Sequence, residues 1–243
     1  MCWSSEASAL LATVGLSGTA YLATKGDTKE LWIPLGYFSL MEALQAFTYP
    51  YINMCDSPVN QVLTVLGFMH IAFQPFFINA VSLYFIPEKV KKKVAPFAYF
   101  FCFIGAIILL LKLYPFQLTG NWMSACVMEN EAICGTSLCS VSGSWHIAWG
   151  IPLNDMPKYI YSLAYYTPAF FIPLLYGSWR MTTYHFLVGP FLAYFLTSNP
   201  NEWPAVWCLF SAGLILAAIV TPLRKHLRVQ KWYFWKYHEK QRL

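Results

Sequence analysis

Seven long apolar stretches, separated by short polar or charged segments, set the pattern of the chain: residues 7–24, 31–52, 60–86, 94–114, 157–178, 182–198 and 204–222. Each is long enough to cross about 30 Å of hydrocarbon as a helix. The pattern therefore predicts an all-α integral membrane protein, a bundle of seven transmembrane helices. The first stretch has no basic segment before it and no clear small-residue cleavage motif after it, so it reads as a retained helix rather than a signal peptide. The expected organisation is one seven-helix domain over residues 1–223, with a long outer loop at 115–156, and a basic-aromatic tail at 224–243.

Composition agrees. Of the 243 residues, 58% are hydrophobic and 11% charged, and the mean hydropathy is +0.46, outside the range of soluble globular domains. A multi-pass protein of the plasma or inner membrane is expected, with the lipid bilayer as its first partner and a membrane-protein partner or second copy as the others. The net charge of +5 is too localised to suggest nucleic acid. Fourteen of the sixteen basic residues fall on one side of the predicted bundle, in the groups Lys25–Lys29, Lys89–Lys93, Arg180 and Arg224–Arg242. That side is cytoplasmic by the positive-inside rule, which puts the N-terminus outside and the C-terminus inside. Lys112, near the outer end of the fourth helix, is expected to snorkel, and Lys158 marks the outer start of the fifth. The aromatic and basic residues of the tail suit a headgroup layer.

The same topology puts Cys2, Cys55, Cys126, Cys134 and Cys139 on the outer face. Two disulfides are expected among the last four, with Cys134 and Cys139 as a short closed loop one candidate pairing and Cys2 the thiol left over. Cys102 and Cys208 lie within helices.

Polar residues inside the apolar stretches carry the candidate chemistry. In the second stretch Ser39, Glu42, Gln45, Tyr49 and Asn53 follow three- and four-residue spacing, so they share one helix face. In the third, Gly67, His70 and Gln74 do the same, while Asn79 points elsewhere. Counted back from the short turn "MCDSPVN", Glu42 and His70 both lie about 15 Å deep at 1.5 Å per residue. Facing stripes would pair Glu42 with His70 and Ser39 with Gln74. Pro75 frees backbone groups beside Gln74. An ionisable residue at that depth is a functional candidate, so Glu42 and His70 are the expected catalytic pair, with Gln45 and Gln74 as binding residues. Without a nearby cation, Glu42 rests neutral.

The outer segment "SVSGSWHIAWGIPLND" holds His146 between Trp145 and Trp149. If it folds over the bundle, Glu42, His70 and His146 make a two-histidine, one-carboxylate set suited to a transition metal ion; as a surface anchor, His146 needs no ligand. Trp145 and Glu202 are the binding candidates at the cavity mouth. Asn201 can cap the seventh helix, and Glu202 suits its N-terminal dipole.

The segments "MCWSSEAS", "LMEALQA", "HIAFQPFFINA", "CGTSLCSVSGSWHIAW" and "NPNEWPAVWCLFS" together resemble a family of mostly bacterial seven-helix membrane proteins of unknown function that begin Met-Cys-Trp-Ser. The resemblance covers nearly the whole chain and implies that architecture without naming a reaction. Its motif positions fall on Cys2, Trp3, Glu42, Gln45, His70, Gln74, Trp145, His146, Asn201 and Glu202. Retinal proteins are excluded by the lack of lysine in 204–222, and the seven-helix zinc hydrolases by the lack of a third intramembrane histidine. The first expectation is a membrane-embedded enzyme that depends on a metal or on proton transfer. A non-catalytic sensor or accessory subunit is the alternative, and a small-solute transporter is weakened by the absence of an internal repeat.

Overall fold

The computed structural model describes residues 3–113, 126, 131–154 and 156–235. The protein is mostly helical. Helix α1 (Ser5–Thr24) is capped by Ser4, whose Oγ accepts the N–H of Ala7 at 3.2 Å. A turn through Gly26, at φ +70° where a Cβ would be strained, leads into α2 (Lys29–Thr48). Helices α3 (Pro58–Tyr84) and α4 (Glu88–Leu111) follow. Then come α5 (158–175), α6 (179–196), α7 (Trp203–Val220) and the short α8 (Leu223–Leu227).

Helices α5 and α6 each contain a π turn, at Thr167–Phe171 and Leu187–Phe191. Each holds a proline, Pro168 or Pro190. Proline lacks the N–H and its ring crowds the carbonyl one turn back, which favours the wider hydrogen-bonded loop. Among the described residues, α1, α3, α4 and α7 are long and apolar enough to cross a membrane. The other three expected crossings fall short of that measure for physical reasons. Helix α2 is diluted by its polar stripe, and α5 and α6 are interrupted by their π turns.

Small residues set the closest helix contacts. A Cβ on Gly15 of α1 would run into the Ser39 hydroxyl of α2, and one on Gly36 of α2 would meet Thr19 of α1. Helix α2 therefore lies with its polar stripe against α1 and also contacts α7, while its other side meets α3. Large apolar side chains such as Phe47, Phe97, Phe103 and Phe195 stay exposed around the outside.

The loop expected to be irregular contains an antiparallel hairpin, β1 (Cys139–Ser142) paired with β2 (Ile147–Gly150), which corrects the all-α reading. Cys139, Ser140 and the run from Ile147 to Trp149 are buried, and His146 is wholly so, so His146 is not a surface anchor. The disulfides are Cys55–Cys139 and Cys126–Cys134. The first fastens the turn after α2 to β1, and the second closes the loop on itself. Cys134 does not pair with Cys139. Cys2, the side chain of Lys158 and residues 236–243 lie outside the described residues.

Lys112 corrects another expectation. It is wholly buried, with its Nζ 2.5 Å from Glu131 Oε2 and donating to the Met156 carbonyl at 2.8 Å, because the loop folds over it and supplies both partners before it can reach water. At the opposite end of the bundle, Arg224 pairs with Asp27 at 2.8 Å and Lys91 with Glu30 at 2.8 Å. The start of the tail folds back onto that end. Trp235 Nε1 donates to the Tyr176 carbonyl at 3.0 Å, and Val229 N donates to the Phe85 carbonyl at 2.9 Å.

Candidate functional site

The hairpin is held in place by polar contacts made from three sides. Asn53, at φ +66°, a region asparagine tolerates better than most residues, donates its N–H to the Ser140 carbonyl at 3.0 Å and exchanges side-chain bonds with Ser142. Asn60 on α3 accepts from Ser140 N at 2.8 Å and donates back to the Ser140 carbonyl at 2.9 Å. From the third side comes Glu202, just before α7. Its Oε1 accepts the Ser144 N–H and hydroxyl, and its Oε2 accepts the N–H groups of Trp145 and His146, all between 2.8 and 3.1 Å. Gly143 makes this approach possible, since a Cβ there would occupy the Glu202 carboxylate. Burial alone would raise the Glu202 carboxyl. The backbone donors of His146, Trp145 and Ser144 outweigh it and hold the group below the usual carboxylate range.

Trp145 is placed by the same cradle. Its carbonyl accepts the Trp3 N–H at 3.0 Å, and its ring stacks on Trp3 with centroids 6.2 Å apart. Trp3 also lies over the His146 ring at 5.9 Å and donates its indole N–H to Ser8 Oγ at 2.8 Å. These contacts deliver His146, wholly buried, to the outer end of the α2 stripe. Tyr49 Oη lies 3.3 Å from His146 Nδ1.

The stripe itself is buried throughout: Ser39, Glu42, Gln45 and Tyr49. The Glu42 carboxyl is within electrostatic reach of Tyr49 on one side and Cys208 of α7 on the other. Ser8 of α1 also bears on it. Even so, neither Glu42 oxygen makes a hydrogen bond of good geometry, and the same holds for both polar atoms of Gln45 and for His146 Nε2. Buried polar groups are normally satisfied, because an unmade bond costs about 1–3 kcal/mol. Five such atoms, on Glu42, Gln45 and His146, are left without a partner inside the fold.

The tautomer of His146 follows from its neighbours. The Ile147 N–H donates to His146 Nδ1 at 2.8 Å, so the ring proton sits on Nε2. Burial holds this imidazole down to about 3, against an opposing pull from Glu202. His146 thus offers an N–H donor to the site, while Glu42 and Gln45 supply acceptors and an amide donor.

His70 is placed elsewhere. Its ring stacks on Tyr37 at 3.8 Å, and the Tyr37 hydroxyl donates to the His70 carbonyl at 2.6 Å. Tyr37 precedes Glu42 by five residues, about 140° around the helix, so His70 sits beside a different face of α2, in an open groove with Met69, Phe73 and Phe77. The expected Glu42–His70 bond is not made. Nor is Ser39–Gln74: Ser39 Oγ donates to the Leu35 carbonyl at 2.7 Å, and Gln74 donates to Cys208 Sγ at 2.7 Å and accepts from Tyr165 Oη at 2.5 Å. The stripe is occupied by α1 and α7, which leaves α3 to meet α2 with another side.

Glu42, His70 and His146 consequently do not gather as a ligand set. Among the described residues no group of three or more His, Cys, Asp or Glu side chains is arranged to hold a metal ion. Asn201 does not cap α7 either, since Glu202 takes the cap position and Asn201 Nδ2 donates to the Cys134 carbonyl at 3.1 Å. Asn79 is the separate contact expected of it, donating to the Pro168 carbonyl at 2.7 Å.

Sequence reasoning missed Ser8, Cys208 and Tyr165 as neighbours of the polar groups. The available signal was Gly15 in α1, a small residue about one turn from Ala12 and two from Ser8, where another helix approaches closely.

Residues 6–228 match a family of unknown function, DUF5765. No curated protein and no solved structure matches the chain.

Proposed function

Because the chain belongs to this family of unknown function, we propose its activity from the site alone: a membrane-embedded enzyme in which Glu42 gives and takes a proton, with Gln45 and His146 orienting a small polar substrate. The observation that carries the reading is the set of five buried polar atoms on Glu42, Gln45 and His146 that make no hydrogen bond within the fold. An ionised carboxylate without a partner in such a place costs several kcal/mol. Glu42 therefore holds its proton at rest and releases it only to a partner that arrives.

Proton transfer is favoured over metal chemistry by the His146 ring. To ligate a metal through Nε2, a neutral ring must carry its proton on Nδ1, where the Ile147 N–H already points. The same reading sets the protein in a membrane through seven crossings, N-terminus outside, with α2, α5 and α6 crossing beside the four longer apolar helices. The exposed Phe47, Phe97, Phe103 and Phe195 would face lipid, and the basic residues near Asp27, Glu88 and Arg224 would lie at the cytoplasmic surface.

The test compares wild type with Glu42→Gln by infrared spectroscopy in detergent. Wild type should show the carbonyl stretch of a protonated carboxyl that is lost in the variant, with melting temperature unchanged. A Glu42→Gln spectrum that keeps the whole band rejects Glu42 as the proton carrier. Stoichiometric metal in wild type that disappears in the variant would overturn proton transfer in favour of a metal centre.

A further inference from the structure

A second feature lies away from His146, between α3, α5 and the start of α7, where the fold leaves a cavity of about 200 Å3. Its walls are mostly apolar and aromatic, from Ile71, Ile133, Tyr166, Trp203 and Trp207. Tyr166 and Trp203 are partly exposed and form a rim, while Gln74 and Tyr165 are buried at the inner end. The opening thus faces sideways out of the bundle, between α5 and α7.

Three polar side chains reach this space: Gln74, Ser162 and Glu131. Gln74 spends one amide hydrogen on Cys208 and one acceptor position on Tyr165. An amide has two of each, so one donor and one acceptor remain for a guest. Ser162 adds a hydroxyl. Glu131 carries its own counter-charge, since Lys112 pairs with it at 2.5 Å and also lies 5.2 Å from the Tyr161 ring. The ion pair brings no net charge to the wall, which disfavours a charged guest of either sign through the cost of burying it.

Size narrows the class further. A dry protein cavity of about 150 Å3 admits benzene, so this one takes a single six-membered ring with a small substituent. We propose that the cavity is a binding site for a neutral lipophilic molecule whose hydroxylated ring lies among Tyr165, Trp203 and Trp207, with its polar head on Gln74 and Ser162. The site stands on its own geometry and does not require the proton chemistry of Glu42.

The probe is 4-bromophenol, a neutral hydroxylated ring whose bromine quenches indole emission. Titrated into purified protein in detergent, it should quench tryptophan fluorescence saturably in wild type and in Glu42→Gln alike, so loss of the proton reading leaves this one standing. Ser162→Phe, which fills the cavity, and Ala132→Leu, which intrudes from the loop side, should each weaken binding about tenfold or more, a difference readily resolved in Kd. Ser162→Ala keeps the space but loses the hydroxyl, and should weaken binding a few-fold. Quenching in wild type that never saturates, or wild-type affinity in both space-filling variants, overturns the proposal. Should Ser162→Phe fail to fold, Ala132→Leu alone decides it.

Discussion

Glu202 Oε2 accepts the backbone N–H of His146 at 3.0 Å, so the residue that opens α7 fixes the histidine that faces the α2 stripe. Replacing Glu202 by Gln keeps the shape but removes the charge and sets an amide group against backbone donors. The loss should be about 2–4 kcal/mol, since hydrogen bonds to a charged group are the stronger kind and the stranded donors stay buried. A fall in apparent melting temperature, with faster proteolysis at the hairpin tip, is the expected result; an unchanged melting curve would contradict it.

Acid should destabilise the protein in two stages, first at the hairpin and then at both ends of the bundle. His146 has a folded value near 3 against an ordinary 6.5, so the unfolded chain binds the proton first. The stability due to the neutral ring is complete above 6.5 and declines as pH falls from 6.5 toward 3. Glu202, Asp27 and Glu30 are all held below their ordinary values of 4.5, 3.8 and 4.5, Glu30 at about 2. Their contribution is present above those values and is lost below them. Melting temperature measured from pH 8 to 4 should begin to drop near 6.5 in wild type, and His146→Phe should make that first decline smaller, with the buried His185 keeping its own share.

Non-reducing peptide mapping should recover Cys55 linked to Cys139 and Cys126 linked to Cys134, with Cys102 and Cys208 free. The Cys55→Ser/Cys139→Ser double variant opens a loop of 84 residues and should lose about 2–5 kcal/mol. Recovery of a Cys134–Cys139 peptide would be incompatible with the hairpin.

Gly15 and Ser39 give a test of the α1–α2 contact that separates crowding from composition. Gly15→Ala places a methyl group against the Ser39 side chain and should destabilise by about 1–3 kcal/mol, the usual range for overpacking. Adding Ser39→Gly should recover much of that loss. Additive effects of the two changes would mean that the helices do not meet at this point.

Reporter fusions at Lys91 and after Leu243 should both report the cytoplasmic side. Opposite readings would remove the seven-crossing arrangement.

Much of the fold was legible because periodicity identifies a helix and its polar face. Ser39, Glu42, Gln45 and Tyr49 of the predicted stripe are buried as the spacing implies, whereas Asn53, its fifth member, is exposed in the turn beyond the helix, and the four outer cysteines do pair. Periodicity does not say which neighbour lies opposite that face. The short turn after α2 suggested α3, whereas Gly15 lets α1 come close enough to cover the stripe, and α7 brings Cys208 to it. His70 was therefore assigned to Glu42, although it stacks on Tyr37. The hairpin was hidden for a different reason: the successive β2 residues Ile147, Ala148 and Trp149 all bury, so the alternation that normally betrays a strand is lost. Lys112 looked like an interfacial lysine because its counter-charge, Glu131, is distant in sequence.

On the proposed reading, the Cys55–Cys139 crosslink would give the site a maturation step. Glu42 and Gln45 belong to a helix that can form as soon as the chain is made, but His146 rides on a hairpin stapled to that helix's far end by a bond that only an oxidising compartment sustains. A newly synthesised chain still in a reducing environment would carry an unfinished centre, and exposure to the oxidising side would complete it.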